Sequence, residues 1–114
     1  PDLSLFTNDP AIQNGETIGV LRFDSFNSSG TKVEYSRVAT TIIDNGSGGN
    51  ANAKVVVQAR RDNSTMDTVA EFNGATGDAK IAAQNGAGII LAAPNGTLYK
   101  ITVTNAGAIN VASA

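Results

Sequence analysis

Residues 16–43 alternate apolar and polar positions in two long runs around a polar break, and the later apolar segments read as shorter strands added to this pair. In the first run Ile18 and Val20 point to one side, and Leu21 and Phe23 to the other. That pattern predicts a bulge or a face switch near Val20. Between the runs lies Asn27-Ser28-Ser29-Gly30-Thr31, polar with a Gly near its end, which signals a hairpin of the longer-loop kind. In the second run Val33 and Tyr35 share one face, while Val38, Thr40 and Ile42 share the opposite one. Both strands are therefore expected to carry apolar groups on two sides, as strands covered on both faces do.

Residues 44–50 follow as a glycine-rich loop, and residues 54–60 as a third strand with Val55 and Val57 on one side and Val56 on the other. Residues 61–64 are polar and turn-like. Across residues 65–72, Met66, Thr68, Ala70 and Phe72 alternate with Asp67, Val69 and Glu71, which favours a strand over a short helix. From residue 73 a short period sets in. Asn-Gly stands at 73–74, 85–86 and 95–96, Asn105-Ala106-Gly107 continues it, and strand-sized apolar segments lie at 79–82, 88–92, 98–103 and 108–111. Asn-Gly is a strong hairpin signal, and turns at such regular spacing mean an all-β fold: a sandwich, a barrel or a stacked prism. No segment has a helical period with caps. Residues 1–15 have little periodicity and read as an N-terminal arm or linker; Leu5 and Phe6 give it a reason to cross to a neighbouring chain. A start at Pro1 rather than Met reads as a processed or cut end.

Composition sharpens this picture. At 114 residues the chain is one domain at most, or a segment of something longer. Hydrophobic residues make up 41%, but much of that is Ala, and aromatic residues are only 5%, so core material is thin. The twelve Gly and twelve Asn fit frequent turns, because both tolerate positive φ. Short strands with small side chains and apolar groups on two faces cannot all be covered within one such chain, and open edges invite pairing. Ala, Gly, Val and Ile suit close packing about an axis. The expected architecture is an elongated homotrimer of short strands and hairpins, a β-prism or triple β-helix, with a monomeric jelly roll as the alternative.

Candidate chemistry is sparse. With no His and no Cys, Ser-His-Asp and Cys-His nucleophiles, disulfides and His or thiolate zinc sites are ruled out. A net charge of -2 argues against a nucleic-acid surface. No apolar run approaches the roughly 20 residues of a membrane helix, and no signal peptide is visible. Paired carboxylates for glycoside cleavage would have to come from Asp62, Asp67 and Glu71, or from Asp24 with Glu34. Asp67 and Glu71 on one strand face would stand about 13–14 Å apart, beyond even the wider spacing used for inverting hydrolysis. Asp24 and Glu34 could meet across the hairpin, as any charged cross-strand pair does. The 44–50 loop lacks the acidic ligand that closes a calcium loop, and no Lys-Ser/Thr follows it as in a phosphate cradle. Arg60-Arg61 beside Asp62 reads as a solvated strand end. No cofactor, no metal site and no catalytic residue is expected. Recognition would fall to loop residues Asn27, Ser28, Ser29, Asn45, Ser47 and Asn50, because exposed loops carry binding. Tyr99 could contact a sugar or simply pack against a neighbouring strand.

Gly19-x-Leu21-x-Phe23, Asn27-Ser28-Ser29-Gly30, Tyr35-Ser36-Arg37-Val38 and Ile42-x-Asp44, followed by the glycine loop and Val55-x-Val57, resemble the repeat of bacteriophage tail fibres and tailspikes. The segment Gly88-Ile89-Ile90-Leu91-Ala92-Ala93-Pro94-Asn95-Gly96-Thr97-Leu98-Tyr99 is similar to their C-terminal hairpin of apolar strand, Pro-Asn-Gly, aromatic and strand. The resemblance spans about residues 16–112, though the spacing after Arg60 is irregular. It implies a non-enzymatic virion structural protein, a fibre domain over 16–114 with 72–114 as a candidate tip. It further implies attachment to a bacterial host and residence in the virion tail after assembly in the host cytoplasm. The implied partners are two further copies of the chain, a host surface receptor or polysaccharide and other tail proteins, without nucleic acid or membrane insertion. A purely structural connector or shaft, and a monomeric carbohydrate-binding or adhesin module, are the alternatives.

Overall fold

The computed structural model describes residues 11–46, 48–62, 65–81 and 87–114. Within them lie eight strands and no helix: β1 (Thr17–Phe26), β2 (Lys32–Asn45), β3 (Ala51–Arg60), β4 (Met66–Asn73), β5 (Ala79–Ile81), β6 (Ile89–Ala92), β7 (Leu98–Val103) and β8 (Ile109–Ser113). They form a five-stranded sheet in the order β1-β2-β3-β4-β5 and a three-stranded sheet in the order β6-β7-β8. By contacts the chain divides into two compact units, Pro1–Lys80 and Ile81–Ala114. The sheets are antiparallel, and each strand pairs with its neighbour in sequence. All-β architecture is thus observed. Residues 65–72, weighed between strand and helix, are a strand.

Three hairpin turns share one geometry: it is the longer loop expected at 27–31, and at 95–96 it replaces the two-residue Asn-Gly turn that the sequence suggests. In the loops at 28–30, 94–96 and 105–107 the N–H before the loop donates to the carbonyl after it: Asn27 to Thr31 at 3.0 Å, Ala93 to Thr97 at 2.8 Å, Thr104 to Ala108 at 2.8 Å. The third loop residue is always Gly with positive φ (77° at Gly30, 84° at Gly96, 83° at Gly107), and its N–H turns back to the residue before the loop. This is the three-residue hairpin, a tight turn followed by a left-handed position that Gly fills without strain. Asn73-Gly74 departs further. There the positive φ belongs to Gly77, and Gly74 lies so close to β3 that a Cβ would sit 2.7 Å from the Ala53 carbonyl oxygen.

Across the described pairings of β1 to β4, four residues are inserted out of register. Thr17 pairs with Thr41 and Gly19 with Thr40, so Ile18 is extra in β1; Phe23 pairs with Ser36 and Asp24 with Glu34, so Tyr35 is extra in β2. Ile43 is extra against β3, and Val69 of β4 is extra against the same strand. Each insertion is a bulge, which moves the alternation of its strand by one residue. The bulge expected near Val20 therefore sits at Ile18. Tyr35 brings Val33 onto the same face as Val38, Thr40 and Ile42, not the opposite one. Val69 breaks the alternation expected in β4, placing Asp67, Ala70 and Phe72 on one face and Met66, Thr68 and Glu71 on the other.

Of the arm expected over residues 1–15, only residues 11–15 are described, and these bond to the end of β2. Gly15 N–H donates to the Ile42 carbonyl at 2.8 Å, the Asn45 N–H to Asn14 Oδ1 at 2.8 Å, and Asn45 Nδ2 to the Ile12 carbonyl at 3.1 Å.

The β1–β2 loop rests on one side chain. Asn27 Oδ1 accepts from the Ser29 N–H at 3.1 Å, the Ser29 hydroxyl at 2.8 Å and the Thr31 N–H at 2.9 Å. Denaturant unfolding of Asn27→Ala is expected to show a loss of about 1–2 kcal/mol, against under about 0.5 kcal/mol for the neighbouring Ser28→Ala.

Candidate interaction faces

Following the register across the five-stranded sheet separates its two faces cleanly. One carries the rows Gly19–Thr40–Val55–Phe72, Leu21–Val38–Val57–Ala70 and Phe23–Ser36–Ala59–Asp67. The other carries Val20–Ala39–Val56–Glu71, Arg22–Arg37–Gln58–Thr68 and Thr17–Thr41–Lys54–Asn73. The expectation that the long strands are apolar on two sides is corrected accordingly. The bulges reset the phase so that most large apolar groups gather on the first face.

The second face is a charge ladder. Arg22 Nη2 lies 3.1 Å from Glu34 and 3.5 Å from Asp24, Lys32 reaches Asp24 at 3.4 Å, and Lys54 reaches Glu71 at 3.2 Å. Arg37 donates from Nε to Gln58 Oε1, and Gln58 Nε2 passes the chain on to the Thr68 hydroxyl at 3.1 Å. Glu34 Oε1 is buried and accepts no hydrogen bond, with Arg37 Nε 3.6 Å away. Exposed ion pairs of this kind contribute at most about 1 kcal/mol each. Their larger effect is cover. Ala39 and Val56, the two buried apolar residues among those described, are 4% and 9% exposed on this face. They are flanked by Arg37, Lys54, Gln58 and Glu71, whose aliphatic stems lie along apolar surface while the heads stay wet. Positive and negative groups alternate here, so the ladder offers no one-signed patch to an anion.

The first face has no cover within its own sheet. Leu21, Phe23 and Phe72 are 49%, 53% and 48% exposed, and Val38 and Val55 37% each. A groove of about 270 Å³ runs along it between Ile18, Gly19, Leu21, Val38 and Thr40. The three-stranded sheet is less cleanly divided: Ile90 and Leu98, 55% and 47% exposed, lie on one face with Lys100, and most of its other large apolar groups lie on the opposite face. Ile89–Ile101–Val111, Leu91–Tyr99–Ser113 and Val103–Ile109 share one face, where Val103 and Ile109 are 69% and 74% exposed. None of its described residues is buried. Three strands with a hydrophobic face are about the minimum for independent stability in water, and here Val103 and Ile109 on that face stay largely exposed.

The residues expected to face a receptor do not form one site. Asn27, Ser28 and Ser29 occupy the β1–β2 loop, whereas Asn45 and Asn50 flank the β2–β3 loop at the opposite end of β2, a strand of 14 residues. Ser47 lies outside the described residues. Asn27, Ser29 and Asn45 are engaged in holding their own turns or the 11–15 segment. Tyr99 stands in β7 on the apolar face, paired with Leu91 and Ser113, which is the packing alternative. The candidate carboxylates also separate. Asp67 lies 3.0 Å from Arg61 on one face and Glu71 pairs with Lys54 on the other, so the shared face expected from spacing is undone by the Val69 bulge. Asp24 and Glu34 are cross-strand partners bridged by Arg22. Sequence spacing missed the apolar face itself. Its signal was the apolar doublets Ile42-Ile43 and Val69-Ala70, which mark where alternation slips. A scan against protein families, a search of curated proteins and a search of solved structures each gave no match to the chain.

If stems rather than ion pairs stabilise the charged face, Lys54→Met should change unfolding free energy by less than about 1 kcal/mol. Val56→Ala beside it should cost about 2 kcal/mol, since it deletes two buried methyl groups and leaves a gap.

Proposed function

We propose that this chain is a segment of a trimeric bacteriophage tail fibre or tailspike, a non-enzymatic virion component that serves attachment to a bacterial host. The observation that carries the reading is the pair of apolar sheet faces left bare by a chain with only Ala39 and Val56 buried among its described residues. Copies arranged about a threefold axis would press these faces inward and leave the charge ladder outside, in a β-prism or triple β-helix. The viral setting rests on the likeness of residues 16–112 to fibre repeats, above all the Leu21-x-Phe23 hairpin and the Pro94-Asn95-Gly96 turn. Host receptor or polysaccharide and neighbouring tail proteins are the partners this reading supplies, in the virion tail.

A second reading is a connector or shaft piece without receptor contact. One observation favours it: Asn27, Ser29 and Asn45, the polar loop groups best suited to recognition, already bond within the chain.

Light scattering on a gel-filtered sample tests the assembly. The expected mass is that of three chains, surviving detergent without heating, and Leu21→Lys or Val55→Lys should abolish that peak. A single-chain mass for the native sequence overturns the fibre reading and leaves a monomeric binding module. Binding of the trimer to host cells separates the attachment segment from the connector.

A further inference from the structure

The chain carries four described Asn-Gly steps, at 14–15, 45–46, 73–74 and 95–96, while the one at 85–86 lies outside the described residues. Asn-Gly is the step most prone to spontaneous deamidation, because Gly offers no side chain to hinder its own amide nitrogen. That nitrogen attacks the Asn Cγ, the Cγ–Nδ2 bond breaks and ammonia leaves with the amide proton. Water then opens the cyclic imide at either carbonyl, giving Asp or isoaspartate. The reaction needs a Gly N–H free of its acceptor and a backbone able to swing toward the side chain.

Three of the four steps are held by bonds to distant parts of the sheet. Gly15 N–H donates to Ile42 and Gly74 N–H to Ala53, at 2.8 and 2.9 Å. Gly74 has no room to move, since a Cβ there would stand 2.7 Å from the Ala53 carbonyl. Gly46 N–H is held by Asp44 Oδ1 at 3.0 Å, its position is crowded by Ala51, and Asn45 is tied through both nitrogens to Asn14 and Ile12.

Asn95-Gly96 is different. Gly96 N–H donates only as far as Ala93, at 2.8 Å, and Asn95 Oδ1 accepts from Thr97 at 3.0 Å. Both residues are exposed, and nothing lies within 4 Å of where a Gly96 Cβ would be. Opening one exposed turn therefore releases nucleophile and electrophile together without breaking a pair between strands. Such local openings need far less free energy than unfolding a sheet.

We propose that Asn95 is a spontaneous modification site of the native protein, the step at which the folded chain deamidates first. The isoaspartate product adds a methylene to the backbone inside the loop that sets the β6–β7 pairing, so the change would loosen that hairpin with age. The inference stands on the local bonding alone and does not depend on the fibre reading.

The test is to incubate the full chain in mildly alkaline buffer, with and without denaturant. Peptide mapping by mass spectrometry, with isoaspartate resolved from Asp, then follows each Asn-Gly step over time. In the native protein, conversion at Asn95 is expected to run several-fold faster than at Asn14, Asn45 or Asn73, and in denaturant the four rates should converge. Native conversion at Asn95 no faster than at Asn73, or a several-fold spread that persists in denaturant, would overturn the proposal.

Discussion

The phase of four strands is the constraint on which this protein depends. Side chains in a strand alternate strictly, so a single inserted residue exchanges the faces of everything beyond it. Ile18, Tyr35, Ile43 and Val69 are such insertions. With Tyr35 in register, Val33 would move to the side of Arg22 and Arg37, and Glu34 would leave the ladder for the apolar side. Without Val69, Asp67 would lie on the ladder and Val69 itself would oppose Gln58. The insertions turn a sequence that looks two-faced into a sheet with one wet side and one bare side.

That separation sets the energetics. On the charged side, long stems cover Ala39 and Val56 and keep water from their methyl groups. On the other side, Leu21, Phe23 and Phe72 are about half open and Val38 and Val55 37% exposed, and completing the burial of each would contribute on the order of 1 kcal/mol. Summed over five side chains this approaches the lower end of a whole domain's stability. The C-terminal meander also leaves Val103 and Ile109 largely in solvent. A second copy of the same chain supplies surfaces of matching size and character, and this is the physical basis of the trimer reading.

Strand positions were legible in the sequence because alternation and turn residues are local signals. Residues 98–103 were read without error, and β3 begins at Ala51, three residues before the start expected at Lys54. Turn type was less legible. Asn95-Gly96 resembles the two-residue turn, but Pro94 sits at the first loop position and Gly96 falls third, which makes the longer loop. Faces were the least legible, because whether Ile18 or Val20 is inserted depends on which residues of β2 stand opposite, and pairing is not written in either strand alone. The loop residues suggested as receptor contacts were chosen for polarity. In Asn27 that polarity serves the turn, a role only the hydrogen bonds reveal.

On the trimer reading, the bare face of the five-stranded sheet is covered in the native protein. Hydroxyl-radical footprinting of the native chain, read by mass spectrometry at Leu21, Phe23 and Phe72, measures this directly. Strong protection of these side chains is expected in the native sample, lost on dissociation, with Phe26 at the hairpin end, 70% exposed, as the reactive reference. Labelling of Leu21, Phe23 and Phe72 at a rate comparable to Phe26 in the native sample would contradict it.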